Sequence, residues 1–221
     1  MPRASSIRNA GIGLAAVAFV MLIVVLGWAI PPRAAVIGTD RLGPENGEAV
    51  SNYLARSKDS LRGEDSSVRW ALLSFTTAIT SDRIPEYAAG LRISEVEYHV
   101  WVDRVATPII PVPVPAGDAV AVATVKTAAA QMGSTPTYDD RSTRVKNLVT
   151  ARLEANCACV VAVVLQAPLA ELRTIAAKPG ARVVEALPAD AAADVFAVAP
   201  LLPEQSVSAD PTPDDGPVPD N

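Results

Sequence analysis

The chain is poor in the residues from which reactive centres are usually built. Its 221 residues include one histidine and two cysteines. A structural zinc site takes four Cys, His or carboxylate ligands. Cys157 and Cys159, two positions apart and far in sequence from His99, do not supply that set. There is no glycine-rich phosphate loop and no Gly-x-Ser-x-Gly elbow. Positive charge is also short, with 19 Lys and Arg against 24 Asp and Glu and a net charge of −5. A nucleic-acid surface needs a basic footprint that this balance denies. The expectation is therefore a protein with no catalytic residues, no metal, no cofactor and no enzymatic activity.

One long hydrophobic run is present, at residues 11–30, without a charged side chain. About 20 residues rising ~1.5 Å each cover the roughly 30 Å of a bilayer's hydrocarbon core. Only a helix satisfies its own backbone in lipid. Arg3 and Arg8 precede the run, and basic residues stay on the cytoplasmic side. The reading is a cytoplasmic N-terminus at 1–10, a single transmembrane helix at 11–30 and an extracytoplasmic remainder. A cleaved signal peptide is the rival. Its apolar core is shorter, about 7–15 residues, and the one small-x-small site, Gly27-Trp28-Ala29, runs into Pro31-Pro32. Trp28 suits an interfacial anchor.

Beyond the span, residues 31–47 read as a stalk, 48–202 as an α+β domain and 203–221 as a disordered acidic, Pro-rich tail. An amphipathic helix is expected at 48–61 and a buried strand at 68–76. A short helix at 81–89 stops at Gly90, and a strand at 92–102 places Ile93, Glu95, Glu97, His99 and Trp101 on one face. The alternation there is imperfect, which a bulge or cover on both faces would explain. Helices follow at 118–132 and after Asp139-Asp140, the latter with Val145, Leu148, Val149 and Leu153 inward and a cap at Thr137. Residues 159–165 form the most apolar strand. A helix whose inner face is Leu169, Leu172, Ile175 and Ala176 comes next, then a strand at 181–187.

Two of these segments repeat one plan. Each is strand, short helix, Gly stop and a second strand with Arg two residues past the Gly: Gly90-Leu91-Arg92 and Gly180-Ala181-Arg182. Two βαβ units of this size suggest a ferredoxin-like α/β sandwich, sheet on one side and two helices on the other. The segment at about 117–155 is then a helical insertion.

Three groups stand out as candidate sites. Cys157 and Cys159 form a possible disulfide or thiol pair. On one strand they would share a face, where a disulfide is strained, unless a loop at Asn156-Cys157 relaxes it. A local disulfide, two buried thiols and a redox or intermolecular role all stay open. Pro108, Pro111, Pro113 and Pro115 mark an extended interaction loop, since proline lacks the donor that a sheet interior needs. His99 has no evident nucleophile or acid beside it and reads as structural.

The stretches Arg41-Leu42-Gly43-Pro44-Glu45-Asn46-Gly47-Glu48, Cys157-Ala158-Cys159 and Leu201-Leu202-Pro203-Glu204-Gln205 resemble a group of actinobacterial single-pass membrane proteins of unassigned activity. The resemblance implies a cell-envelope setting and supplies no catalytic residue. The functional expectation is an interaction or structural module that binds an envelope protein, with β-addition to a sheet edge as one mode. An extracytoplasmic ligand-binding or sensor domain is the alternative.

Overall fold

The computed structural model describes residues 19, 21 and 40–220, except 89, 116, 193 and 194. Apart from residues 19 and 21, the expected membrane span lies outside the described residues, as do the segment before it and most of the stalk. Among the described residues, no helix is long and apolar enough to cross a membrane.

The centre of the fold is a pair of strands, β2 (Val68–Ile79) and β5 (Val160–Pro168). (The first strand, β1, is Arg41–Leu42.) Both central strands are apolar on both faces, as strands covered on two sides must be. In β2, Ala71, Leu73 and Phe75 face one side, and Trp70 and Leu72 the other. In β5, Val163, Leu165 and Ala167 oppose Ala162 and Val164 in the same way. The sheet also holds β3 (Arg92–His99), β4 (Ile109–Pro113) and β6 (Ala181–Ala186), in the order β4-β3-β5-β2-β6. Every neighbouring pair is antiparallel. The protein is thus α+β with a five-stranded antiparallel sheet.

Two βαβ units interleave in that order. β2 passes through a 3-10 turn at Ser81–Arg83 and the short helix α2 (Pro85–Ala88) to β3, while β5 passes through α5 (Leu169–Ala176) to β6. Each unit's two strands are parallel and separated by a strand of the other unit. Gly90 and Gly180 close the two helical legs with φ of +78° and +90°, a backbone that favours glycine. At Gly180 a Cβ would lie 2.3 Å from the Tyr87 hydroxyl, so glycine lets the two units touch. β3 carries register shifts at Ile93/Glu95 and Glu97/Tyr98, and these break its alternation.

One sheet face packs on α3 (Asp118–Ser134), α4 (Asp140–Glu154) and α5. The inward residues of α4 are Val145, Leu148, Val149 and Leu153, as its periodicity requires. Its N-cap is Asp139, which accepts from Ser142 N at 2.8 Å; Thr137, expected as the cap, instead meets the Thr143 hydroxyl. The other face is covered too. Leu42, Leu187, Phe196 and Val198 close over Trp70 and Leu72, and Val50, Tyr53 and Leu201 pack with Val183. The two-layer expectation therefore gives way to three layers, with α1 (Val50–Ser60) and both ends of the domain forming the third.

Three segments differ from their expected form. The 108–115 loop contains an edge strand: Ile110, Val112 and Val114 are buried, and Pro108, Pro111, Pro113 and Pro115 are exposed. Proline is tolerated there because Pro111 and Pro113 sit at positions whose backbone points away from β3. The end of the stalk belongs to the domain, because β1 pairs in parallel with β7 (Ala197–Val198). The tail, expected to be disordered, lies along the domain. Val50 N donates to Val207 O at 2.9 Å, Ala209 N to Glu48 O at 2.9 Å, and Arg141 Nη2 to Asp214 Oδ1 at 2.6 Å. Judged alone the tail is too polar to order. It uses a surface already folded, to which Ala209 and Val218 add apolar contact.

Candidate functional site

The sheet has two edges, and they differ. At β4, Val114 N donates to Ser94 O at 2.7 Å. By alternation the outward positions are 109, 111 and 113, and two of these are prolines without N–H. That edge offers few donors to an added strand. At β6 the ladder works the other way. Leu187 N donates to Trp70 O at 2.8 Å, so Glu185 and Val183 face β2 while Val184 and Arg182 turn their backbone groups outward. Farther along, Ser60 of α1 caps the edge, its Oγ accepting from Ala186 N at 2.9 Å.

A groove of about 870 Å³ runs beside this edge, between the last turns of α1, the 61–64 loop, the end of α5 and β6. Leu54, Leu61, Ala176, Val183 and Val184 give it apolar surface, while Lys58, Arg62, Arg173 and Arg182 bring positive charge, opposed by Glu64 and by Asp59, which pairs with Arg62 at 2.9 Å. Arg173 Nη1 donates to Leu61 O and Gly63 O, both at 2.9 Å. Arg182 donates to Leu202 O at 2.6 Å and to Gln205 O. These acceptors are neutral carbonyls, so the bonds fix the guanidinium groups without cancelling their charge.

A second cavity, of about 500 Å³, lies at the start of β5 and gathers the chain's scarce chemistry: His99, Trp101, Arg152, Cys157, Cys159 and Glu204. Helix α4 ends with Asn156 in the left-handed region, φ 55°. Cys157 N donates to Arg152 O at 3.1 Å and Asn156 N to Leu153 O at 3.0 Å, the double bond of a Schellman cap. This turn takes Cys157 off the strand and brings it into a disulfide with Cys159, Cα to Cα 5.3 Å. The two cysteines are thus joined locally, one of the readings open in the sequence.

His99 stands opposite Cys159, its N donating to the Cys159 carbonyl at 2.8 Å. The buried ring pairs through Nε2 with Glu204 Oε1 at 3.0 Å. Burial would raise the Glu204 carboxyl, but the bond to His99, a backbone donor and the charges of His99 and Arg182 together hold it below its ordinary value. Glu204 sits 105 residues from His99, in the segment expected to be a disordered tail, so no sequence spacing points to the pair.

Two further buried carboxylates carry structure. Glu185 accepts from Gly43 N at 2.6 Å and from Arg56 Nη1, while Arg56 Nη2 also reaches Glu48 Oε2 at 3.0 Å. Burial raises the Glu185 carboxyl, and the Gly43 donor and Arg56 oppose it. Glu97, in β3, is pushed up to about 8 by burial and by neighbouring Glu95. Among the described residues, no group of three His, Cys, Asp or Glu is placed to hold a metal ion.

Comparison with protein-family models, curated proteins and solved structures gave no match.

Proposed function

We propose that the chain is a single-pass, membrane-anchored protein of the bacterial cell envelope. Its extracytoplasmic domain, ferredoxin-like in plan, docks an extended segment of another envelope protein along β6. The observation that carries the docking reading is the contrast between the two sheet edges. Prolines blunt β4, whereas the β6 edge opens into a groove with apolar lining and a basic rim. A partner strand with alternating apolar and acidic residues matches that surface by β-addition and by charge. Support for the ferredoxin-like plan comes from the order β6-β2-β5-β3 and its two interleaved βαβ units. The placement rests on the apolar run at 11–30 and accords with a disulfide, which persists in oxidising compartments. A ligand-binding or sensor role is the second reading, favoured by the cavity at His99, whose size suits a small molecule.

The docking reading is tested on the full-length chain in nanodiscs, with synthetic extended peptides of alternating apolar–acidic or apolar–basic pattern. The acidic set should bind and slow hydrogen exchange at Val184, and Lys58→Glu with Arg62→Glu should weaken it at least about tenfold. Equal affinity for both sets, or protection confined to other elements, would overturn it. Reporter fusions after Gly47 test the placement separately; activity of cytoplasmic reporters alone would refute it.

A further inference from the structure

We propose that the Cys157–Cys159 bond is a thiol–disulfide exchange site, which takes two electrons from an external dithiol through attack at Cys157. This goes beyond the docking reading and does not depend on it.

The bond is poorly suited to be a staple. Its ring spans one intervening residue, so it removes little freedom from the unfolded chain, since that effect grows with loop length. The native contacts already hold both ends. Cys157 is fixed by its bond to Arg152 O, and the Cys159 carbonyl by His99 N. Access is asymmetric: Cys157 is half-buried at the cavity wall, while Cys159 is 4% exposed within the core. A thiolate entering the cavity therefore meets Cys157 first. Arg152, exposed at the end of α4, lines the same space, and a neighbouring guanidinium favours thiolate over thiol. Trp101, 53% exposed beside it, gives an incoming peptide an apolar platform.

A thiolate of the external dithiol attacks Cys157 Sγ; a new S–S bond forms there, the Cys157–Cys159 bond breaks, and its electron pair goes to Cys159 Sγ. The second thiolate of the reductant then attacks its partner sulfur in the mixed disulfide and releases Cys157 as thiolate. The reductant leaves as a disulfide, and its two protons end on Cys157 and Cys159. Glu204 and Thr107 already engage the two ring nitrogens of His99, at 3.0 and 3.5 Å. His99 is accordingly a positioning residue that fixes the strand end carrying Cys159.

The test uses the full-length chain in detergent micelles with dithiothreitol as the dithiol. Millimolar reagent in native buffer should reduce the pair while the far-ultraviolet circular dichroism and cooperative thermal unfolding persist. In the reduced protein, iodoacetamide should modify Cys157 at least about tenfold faster than Cys159. Cys159→Ser should accumulate a mixed disulfide with glutathione and Cys157→Ser should not. Reduction only in denaturant, loss of the fold on reduction, or equal alkylation rates would each overturn the proposal. The two wild-type measurements decide it even where a variant fails to fold.

Discussion

Gly43 shows how one residue ties the ends of the domain together. Its φ is +105°, and a Cβ there would meet the Ala199 carbonyl oxygen at 1.7 Å. Its N–H donates to the buried Glu185, and Arg56 reaches both its carbonyl and that same carboxylate. Gly43→Ala must then move backbone rather than a flexible side chain, and should cost about 3 kcal/mol or more in urea unfolding. Gly47→Ala is the control. Its φ of +76° is also unfavourable, but the nearest atom, an Asp210 oxygen, lies 3.6 Å away, so the loss should be about 1 kcal/mol. Equal losses would show that close approach at Ala199 is not what matters. Glu97 makes a different demand. Its folded value of about 8 lies above the ordinary 4.5, so the folded chain keeps a proton that the unfolded chain releases. Stability from this group is full below about pH 4.5 and is lost as pH rises toward 8. Glu97→Gln, which stays neutral, should flatten unfolding free energy against pH between 5 and 8 and gain on wild type at the alkaline end. Parallel curves for the two proteins would contradict the assignment.

At the scale of elements, local pattern was readable and long-range partnership was not. The inward faces of α4 and α5 follow from 3.6-residue periodicity, and the two glycine stops mark the repeat because a left-handed turn leaves few other choices. β4 was missed, since proline argues against a sheet interior and carries no sign of which edge remains open to it. The Glu204–His99 pair and the Arg56–Glu185 pair join residues 105 and 129 positions apart, distances over which no periodicity operates. Pro111→Val with Pro113→Val restores two outward N–H donors on a strand of β-forming residues. The double variant should stay folded and self-associate with rising concentration in sedimentation, while wild type should not. If it remains monomeric, the prolines are not what guards that edge.

The whole domain is held by its ends. Three stretches far apart in sequence, at 41–46, 157–159 and 202–205, meet around His99. Cys157 and Cys159 line the cavity on one side of it with Glu204, while Arg41, Pro44 and Asn46 line another with Leu202 and Gln205. The C-terminal segment closes this arrangement in two steps. Residues 207–209 bond to 47–50 through Val50 N, Ala209 N and Gly47 N, at 2.9, 2.9 and 3.1 Å. Farther on, Asp214 takes Arg141 and Ala106 N, Asp215 takes Arg104, and Gly216 N donates to Arg104 O at 2.7 Å. The second step combines exposed charge pairs, which contribute little, with backbone bonds at Ala106 N and Gly216 N. Ending the chain after Asp210 should therefore cost about 2 kcal/mol, whereas ending it after Ser206 also removes three more backbone bonds and the buried Ala209, a total of about 5 kcal/mol at roughly 1 kcal/mol per bond. Urea unfolding of the two truncations distinguishes this from a free tail. A free tail predicts no change for either, and added salt should shrink the first loss while leaving the second nearly intact.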